Sequence, residues 1–499
     1  MAVDQNFRHH LIKDLMAPHR LEPVTPSPFH ERSQVESNRP LKIIVIGAGI
    51  SGLAAAAGLR RAGHNVEIFE QSAFANEVGA AIHVCPNASR ILLKWGLDPV
   101  VKQFDETKSI LTARADTYEP MHEADCSHMN EKYGAPWYLA HRVDLHNALK
   151  ELALGDPGKG SQVKTYLRSK VTAIEPSTAT VTLADGTSHQ GDLIVAADGS
   201  HSSAIKHVIG HDNPATPTGT SAFRFLIPTA DILADEQTKH FLENKDGKFK
   251  AIIGERKRLI WYPCRGGTMQ NFVGMHPDNA KYGSVEEWNI TSNPSHLLEE
   301  YSSFHPDLIA VMRYTISPPP SPPFPPSILL PNTPQQSHRR QTLETALPPP
   351  IPTWHRERLV LIGDAAHPML PHQGQAGAQG IEDGAAIGVL LAGLQAGGLD
   401  GVDGEKGVKV EAVELEQRLQ AFEAVRRKRA SVMQIFSNAG QDEAEKIREE
   451  AERVLGPGAR VPANQAEFHE FNFGHDVVAE SEELLRELLE SGERRVKKP

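Results

Sequence analysis

Gly47, Gly49 and Gly52, in the hexapeptide Gly-Ala-Gly-Ile-Ser-Gly, have the spacing with which a chain wraps a phosphate. In such a turn the first glycine makes the bend, the second lets the backbone approach a pyrophosphate, and the third lets the next helix pack on the preceding strand. The phosphate then rests on the exposed N–H groups of the helix N-terminus. Glu70 follows eighteen residues after Gly52. A carboxylate there accepts both hydroxyls of an adenosine ribose and repels a 2′-phosphate. This pattern implies a dinucleotide, without distinguishing FAD from NAD.

Such chemistry needs a strand before the turn and a helix after it. Leu41 to Ile46 is a nearly continuous apolar run, as in a parallel strand covered on both faces, and Ser51 to Ala62 reads as a helix stopped by Gly63. Asn65 to Glu70 then closes a βαβ unit. Two further buried strands, Asp192 to Ala197 and Arg358 to Ile362, each end in an acid beside a glycine, at Asp198-Gly199 and Gly363-Asp364. Ser221 to Ile227, Phe249 to Gly254, Leu259 to Pro263 and Asn271 to Met275 are separated by turn residues rather than helices, the mark of a mostly antiparallel sheet in a second domain.

The 499 residues allow two or three such units. With 52 Lys plus Arg against 63 Asp plus Glu, the net charge of −11 argues against a nucleic-acid partner. Cys85, Cys126 and Cys264 have no pairing or metal-binding spacing, which excludes a zinc ribbon and suits a reducing, cytoplasmic compartment. No apolar run reaches the ~20 residues of a membrane span. The 36 prolines are concentrated in residues 1–40, read as a mobile tail, and in 317–352, read as extended, solvated chain that supplies few ladder donors.

The ordered strings GAGISG, ADGSHS and GDAAHPMLPHQGQ, supported by EVGAAI, HRVDLH and YPCRGG, resemble the class A FAD-dependent aromatic hydroxylases, most closely the fungal salicylate-hydroxylase-like flavin monooxygenases. The resemblance spans Leu41 to about Ser437 and is interrupted at the Pro-rich segment, which reads as an insertion. It implies an α/β fold in which a Rossmann-like FAD-binding domain (41–215 and 355–437) is interleaved with a mostly antiparallel β-sheet substrate domain (216–354), followed by a charged helical tail (438–499). It also implies an oxidoreductase that uses FAD, NAD(P)H and dioxygen to hydroxylate an aromatic or polyketide-like small molecule through a flavin hydroperoxide, with or without decarboxylation. A flavin oxidase or dehydrogenase, or an inactive flavin-binding paralogue, stays open as an alternative.

By the same resemblance Asp364 bonds the ribityl chain, Arg142 reaches the pyrophosphate, and Ala81 and Pro371 line the flavin ring. Asp198 serves FAD and the transient nicotinamide. The helix opened by Gly374 to Ala378 presents its N-terminus to the flavin pyrimidine. Arg224 and Tyr262 match sheet positions that face the substrate, where they would orient a phenol-like ring or help deprotonate it. His367 is expected to fix its turn rather than to act in catalysis. Ala376 stands where many family members have glycine, so Gly377 is expected to take over the special dihedral angles. Ile205 replaces the basic residue usual after the second motif, with Lys206 one position later. The chain holds no second GxGxxG, which suits a nicotinamide that binds only transiently.

Overall fold

The strand Lys42–Ile46 is buried at four of its five positions, and a strand with no polar face needs neighbours on both edges and cover on both faces. In the computed structural model it has the neighbours. It pairs in parallel with Asn65–Phe69 on one side and Leu193–Ala196 on the other. Lys164–Tyr166 and Leu359–Leu361 extend the sheet in parallel, and His355–Arg356 closes one edge antiparallel. The structure describes residues 39–74, 80–155, 160–214, 216–243, 247–277, 290–291, 293–316, 339–346, 349–396, 408–438, 444–456, 458–459 and 461–496. Of the expected mobile tail 1–40, residues 1–38 lie outside them, as does most of the Pro-rich segment, whereas Arg39 is held by Asp192 at 2.6 and 2.9 Å and Pro40 bridges to Gln395.

The chain divides into two compact units, one formed by residues up to 76 with 149–214 and 349–499, the other by 77–148 with 215–348. In the first unit, the helices Ile50–Arg61 and Ala376–Leu390 pack backbone against backbone. A Cβ on Gly384 would sit 2.5 Å from the Ala55 nitrogen, and one on Gly58 would sit 2.2 Å from the Gly384 oxygen. Ser51 lies against Gly380, Ala54 against Gly384 and Gly58 against Gly388, so the two helices run parallel with their N-termini at the same end.

The C-terminal region is helical, with Ala444–Leu455, Gln465–Phe473 and Val477–Val496. It is more than a charged tail. Ile447, Ala451 and Val461 share a core with Val432, Ile435 and Phe436 of the long helix Val408–Asn438, and Leu484 and Leu488 are also buried.

The second unit holds an eight-stranded sheet whose described neighbours are all antiparallel except Lys248–Gly254 with Ser109–Arg114. Phe225, Trp261, Phe272, Tyr301 and Phe304 form its core. Two sequence expectations change here. Residues 77–148, counted by sequence with the first unit, cluster with the second, because Ser109–Arg114 and Pro120–Asp125 extend its sheet. Within 317–352 the proline-free stretch Arg339–Ala346 is a strand, paired with Thr216–Pro228, because its backbone N–H groups remain available to a ladder.

Candidate functional site

Gly47 has φ +91°, and a Cβ there would lie 2.5 Å from the Ala197 oxygen. A Cβ on Gly52 would lie 2.0 Å from the Gly47 oxygen, whereas one on Gly49 would meet nothing within 4 Å. The first and third glycines are therefore demanded by the protein's own packing. The second opens onto free space at the N-terminus of Ile50–Arg61, which has neither a side-chain cap nor an acid in its first turn. Such a terminus suits an anion.

Glu70 is pinned beside this turn. Its Oε2 accepts from the Ala48 N–H at 2.8 Å and its Oε1 from the Ser72 N–H at 2.7 Å. An ionised carboxylate offers about four acceptor sites, so lone pairs remain for two hydroxyl donors. Asp198 follows the strand Leu193–Ala196, with its Cα 3.3 Å from where a Gly47 Cβ would be. Its Oδ2 accepts from the Ser203 N–H at 3.0 Å, and its buried Oδ1 has no hydrogen-bond partner among the described residues. Burial raises its pKa. A buried acceptor without a donor is costly on its own and fits a ligand rich in hydroxyls, such as FAD.

Gly363 has φ +59°, and a Cβ there would lie 2.1 Å from Ser51 Oγ, so the turn at the end of Leu359–Leu361 is seated directly on the first helix. Asp364 is exposed at that turn. Pro371 is half-buried and opens a short 3₁₀ turn, and Gly374 then takes the left-handed conformation at φ +62°. Gly377, expected to carry that strain, instead lies in the first turn of Ala376–Leu390. Because Gly374 absorbs the bend, the methyl of Ala376 sits on ordinary helix. This helix also lacks a side-chain cap and an early acid. From the register of Ser51 with Gly380, it begins about 5 Å, roughly one turn, beyond the level of the first helix.

Beneath that N-terminus lies a fully buried charge cluster. Asp383 Oδ2 accepts from the Gly363 N–H at 2.8 Å and lies 2.6 Å from His367 Nε2, and Asp383 Oδ1 accepts from Arg426 Nε at 2.8 Å. His367 thus fixes the turn, as the sequence suggested. Glu382 accepts from Arg426 and, at 2.8 and 2.9 Å, from Arg429. Burial opposes ionisation of both acids, yet the charges of Arg429 and Arg426 around Glu382, and of His367 and Arg426 around Asp383, hold them below the usual carboxylate range.

In the second unit, Ala81 is held by both of its backbone polar groups. Its N–H donates to Asn271 Oδ1 at 2.9 Å, and its carbonyl accepts from the Tyr262 hydroxyl at 2.9 Å. Burial pushes Tyr262 well above the ordinary range for a phenol. A phenol in that setting is a hydrogen-bond donor at neutral pH, and Ala81 is what it holds. Arg224, on Thr216–Pro228, has a buried Nε with no partner among the described residues. Burial lowers its pKa, with Tyr262 opposing and Arg142 adding to the effect. Arg142 is exposed at the start of the helix Arg142–Leu154, and its N–H donates to the Ala80 oxygen at 3.1 Å.

Two residues here escape sequence reading. The His83 ring packs against Trp137, Phe249 and Tyr262 with centroids 5.0 to 5.6 Å apart. Burial lowers its pKa to about 4, so its imidazole is neutral. The buried Asn271 Nδ2 lacks a partner among the described residues. The available signal was a polar residue interrupting an apolar strand, as in Ala-Ile-His-Val.

Comparison with known proteins matches residues 41–240 to the pyridine nucleotide-disulphide oxidoreductase family. An FAD-dependent monooxygenase of Diaporthe leptostromiformis is 36% identical over 86% of this chain and 98% of its own length. Hispidin-3-hydroxylase of Neonothopanus nambi is 29% identical over 90% of this chain and 97% of its own. Among solved structures, CtdE in complex with FAD and its substrate 4 superposes with a TM-score of 0.68 at 21% identity, covering 91% of this chain and all of that one.

Proposed function

The chain belongs to the class A FAD-dependent aromatic hydroxylases, and from that membership we infer that it is a monooxygenase using FAD, NAD(P)H and dioxygen to hydroxylate an aromatic or polyketide-like small molecule. The observation that carries the reading is the pair of parallel, uncapped helix N-termini, set about one turn apart, with Glu70, Asp198 and Asp364 on the turns around them. One terminus suits a pyrophosphate and the other the electron-accepting edge of a flavin.

In this reading Gly47, Gly49 and Gly52 form the phosphate turn, Glu70 takes the adenosine ribose and Asp364 the ribityl chain. Asp198 offers its unpartnered oxygen to a hydroxyl of the cofactor. Arg142 supplies a guanidinium fork to the pyrophosphate, while Ala81, Pro371 and Gly377 border the ring, where small or rigid residues permit close approach. FAD, when bound, supplies the redox chemistry and an electrophilic oxygen atom for an electron-rich ring. The protein's part is to hold that ring, keep water out and fix its ionisation. Arg224, half-buried with a buried and unpartnered Nε, orients the substrate's phenolate or carboxylate. Tyr262 acts through Ala81 rather than as a base, and the neutral, apolar surround of His83, Trp137 and Phe249 fits a planar ring.

The test is a screen of phenolic acids for stimulated NAD(P)H oxidation by the FAD-loaded protein, with mass spectrometry of the product. A product heavier by one oxygen atom, or with carboxyl replaced by hydroxyl, supports the reading. Protein that takes up no FAD overturns it, and hydrogen peroxide formed without an oxygenated product favours an oxidase.

A further inference from the structure

We propose that Asp383 is a positioning residue for the turn that presents Asp364, with His367 and Arg426 as the partners that hold its carboxylate in place. The proposal rests on the FAD reading above. Asp383 lies two turns inside the helix Ala376–Leu390 and is fully buried. Three elements converge on it: the backbone N–H of Gly363, the ring of His367, and the guanidinium of Arg426 from the long helix Val408–Asn438. Both of its oxygens are occupied by these donors.

Gly363 is the residue whose conformation matters. At φ +59° it faces Ser51 with no room for a side chain, and the exposed Asp364 follows immediately. The Asp383 bond to the Gly363 N–H holds the backbone of that turn immediately before Asp364. A buried ion cluster is an expensive way to hold a fold together, since well-packed apolar residues of the same volume are often as stable or more so. What ionic geometry adds is direction, because each donor reaches one lone pair along one line.

The same cluster reaches the C-terminal region. Arg429 shares Glu382 with Arg426 and donates to the carbonyls of Phe471 and Asn472 at 2.7 and 3.0 Å. The helix Gln465–Phe473 thereby braces the acids that brace the turn. This assigns to residues beyond the family motifs a part in setting the cofactor's grip.

The test compares Asp383→Asn and His367→Phe with the parent. FAD affinity is read from quenching of flavin fluorescence as apoprotein is titrated, alongside thermal melts of the ligand-free proteins. The Asp383→Asn change keeps the shape but turns an amide NH₂ toward one of three donors. The His367→Phe change keeps a ring against Trp354 and removes the donor. FAD affinity should fall about tenfold for each, from one lost or misdirected hydrogen bond to a charged group. In an Asp364→Ala background the same changes should cost little further affinity, because Asp383 acts through Asp364. Folded variants that bind FAD like the parent overturn the proposal, as does a full additional loss in the Asp364→Ala background. If Asp383→Asn does not fold, His367→Phe decides alone. A parent that takes up no FAD overturns the FAD reading itself, a result distinct from variants that leave affinity unchanged.

Discussion

Glu70 and Asp383 in the first unit have their oxygens taken up by donors of the protein itself, with Asp198 Oδ1 left open, whereas the aromatic face of the second unit holds donors that the protein leaves unmatched. Glu70 is clamped by two N–H groups and Asp383 by three donors. Arg224 Nε and Asn271 Nδ2 are buried without partners among the described residues. On the function proposed above, the contrast separates two tasks. A cofactor kept through many turnovers is gripped by geometry built once into the backbone. A substrate that comes and goes is recognised by side chains whose hydrogen bonds it must complete, which penalises a molecule unable to complete them.

The largest break in this comparison comes from the first unit. Arg426→Met leaves Glu382 and Asp383 short of compensating charge in a fully buried site, and should destabilise the protein by roughly 3–5 kcal/mol in denaturant unfolding. A variant as stable as the parent would show that the cluster is not under that constraint.

A pair of substitutions sharpens the division of labour. Asp364→Ala should weaken FAD binding by about 2 kcal/mol, and Arg224→Gln should lower kcat/KM for phenolic substrates by a similar amount with FAD affinity unchanged. Flavin titration and steady-state kinetics on both variants check this. Loss of FAD from the Arg224 variant would merge the two tasks.

A smaller effect follows from pH. His355 is flanked by Glu423 at 2.6 Å and Glu416 at 3.0 Å. Burial works against its charge, but these two acids raise its pKa to about 9. A raised folded-state pKa stabilises fully below the unfolded value of about 6.5, and the contribution is lost as pH rises through about 9. The melting temperature should therefore decline across that alkaline range, and His355→Gln should flatten the decline. An unchanged slope in the variant would remove His355 as its source.

Smallest is Tyr262→Phe. If the hydroxyl only holds the Ala81 carbonyl, about 1 kcal/mol is lost, and the pH profile of kcat keeps its shape. A loss of several orders of magnitude with a shifted profile would restore Tyr262 as a base.

The first unit was also the more legible of the two. Its glycines are forced by contacts within short motifs, and its strands LKIIVI, DLIVAA and RLVLI are buried on both faces, so pattern and burial coincide. The second unit was legible as four of its strands and, through the family resemblance, as the positions Ala81, Arg142, Arg224 and Tyr262, but not as the aromatic cluster beside them. Pro120–Asp125 is almost wholly exposed, so no alternation announced the hairpin it forms with Ser109–Arg114. His83, Trp137, Phe249 and Tyr262 meet only through the register of strands far apart in sequence. The left-handed bend falls on Gly374 rather than on the expected Gly377 because a motif gives spacing, while the dihedral angle depends on where the helix begins. The packing of the last helices onto Val432 and Phe436 was hidden by a composition dominated by solvent-facing charge.

The contact between Ile50–Arg61 and Ala376–Leu390 imposes an order of events on the growing chain. More than 300 residues separate the two helices. At ~5–20 residues per second, the alanine- and glycine-lined face of the first waits roughly 15 to 60 s on the ribosome for its partner. The phosphate turn is therefore translated long before the helix against which its own helix packs.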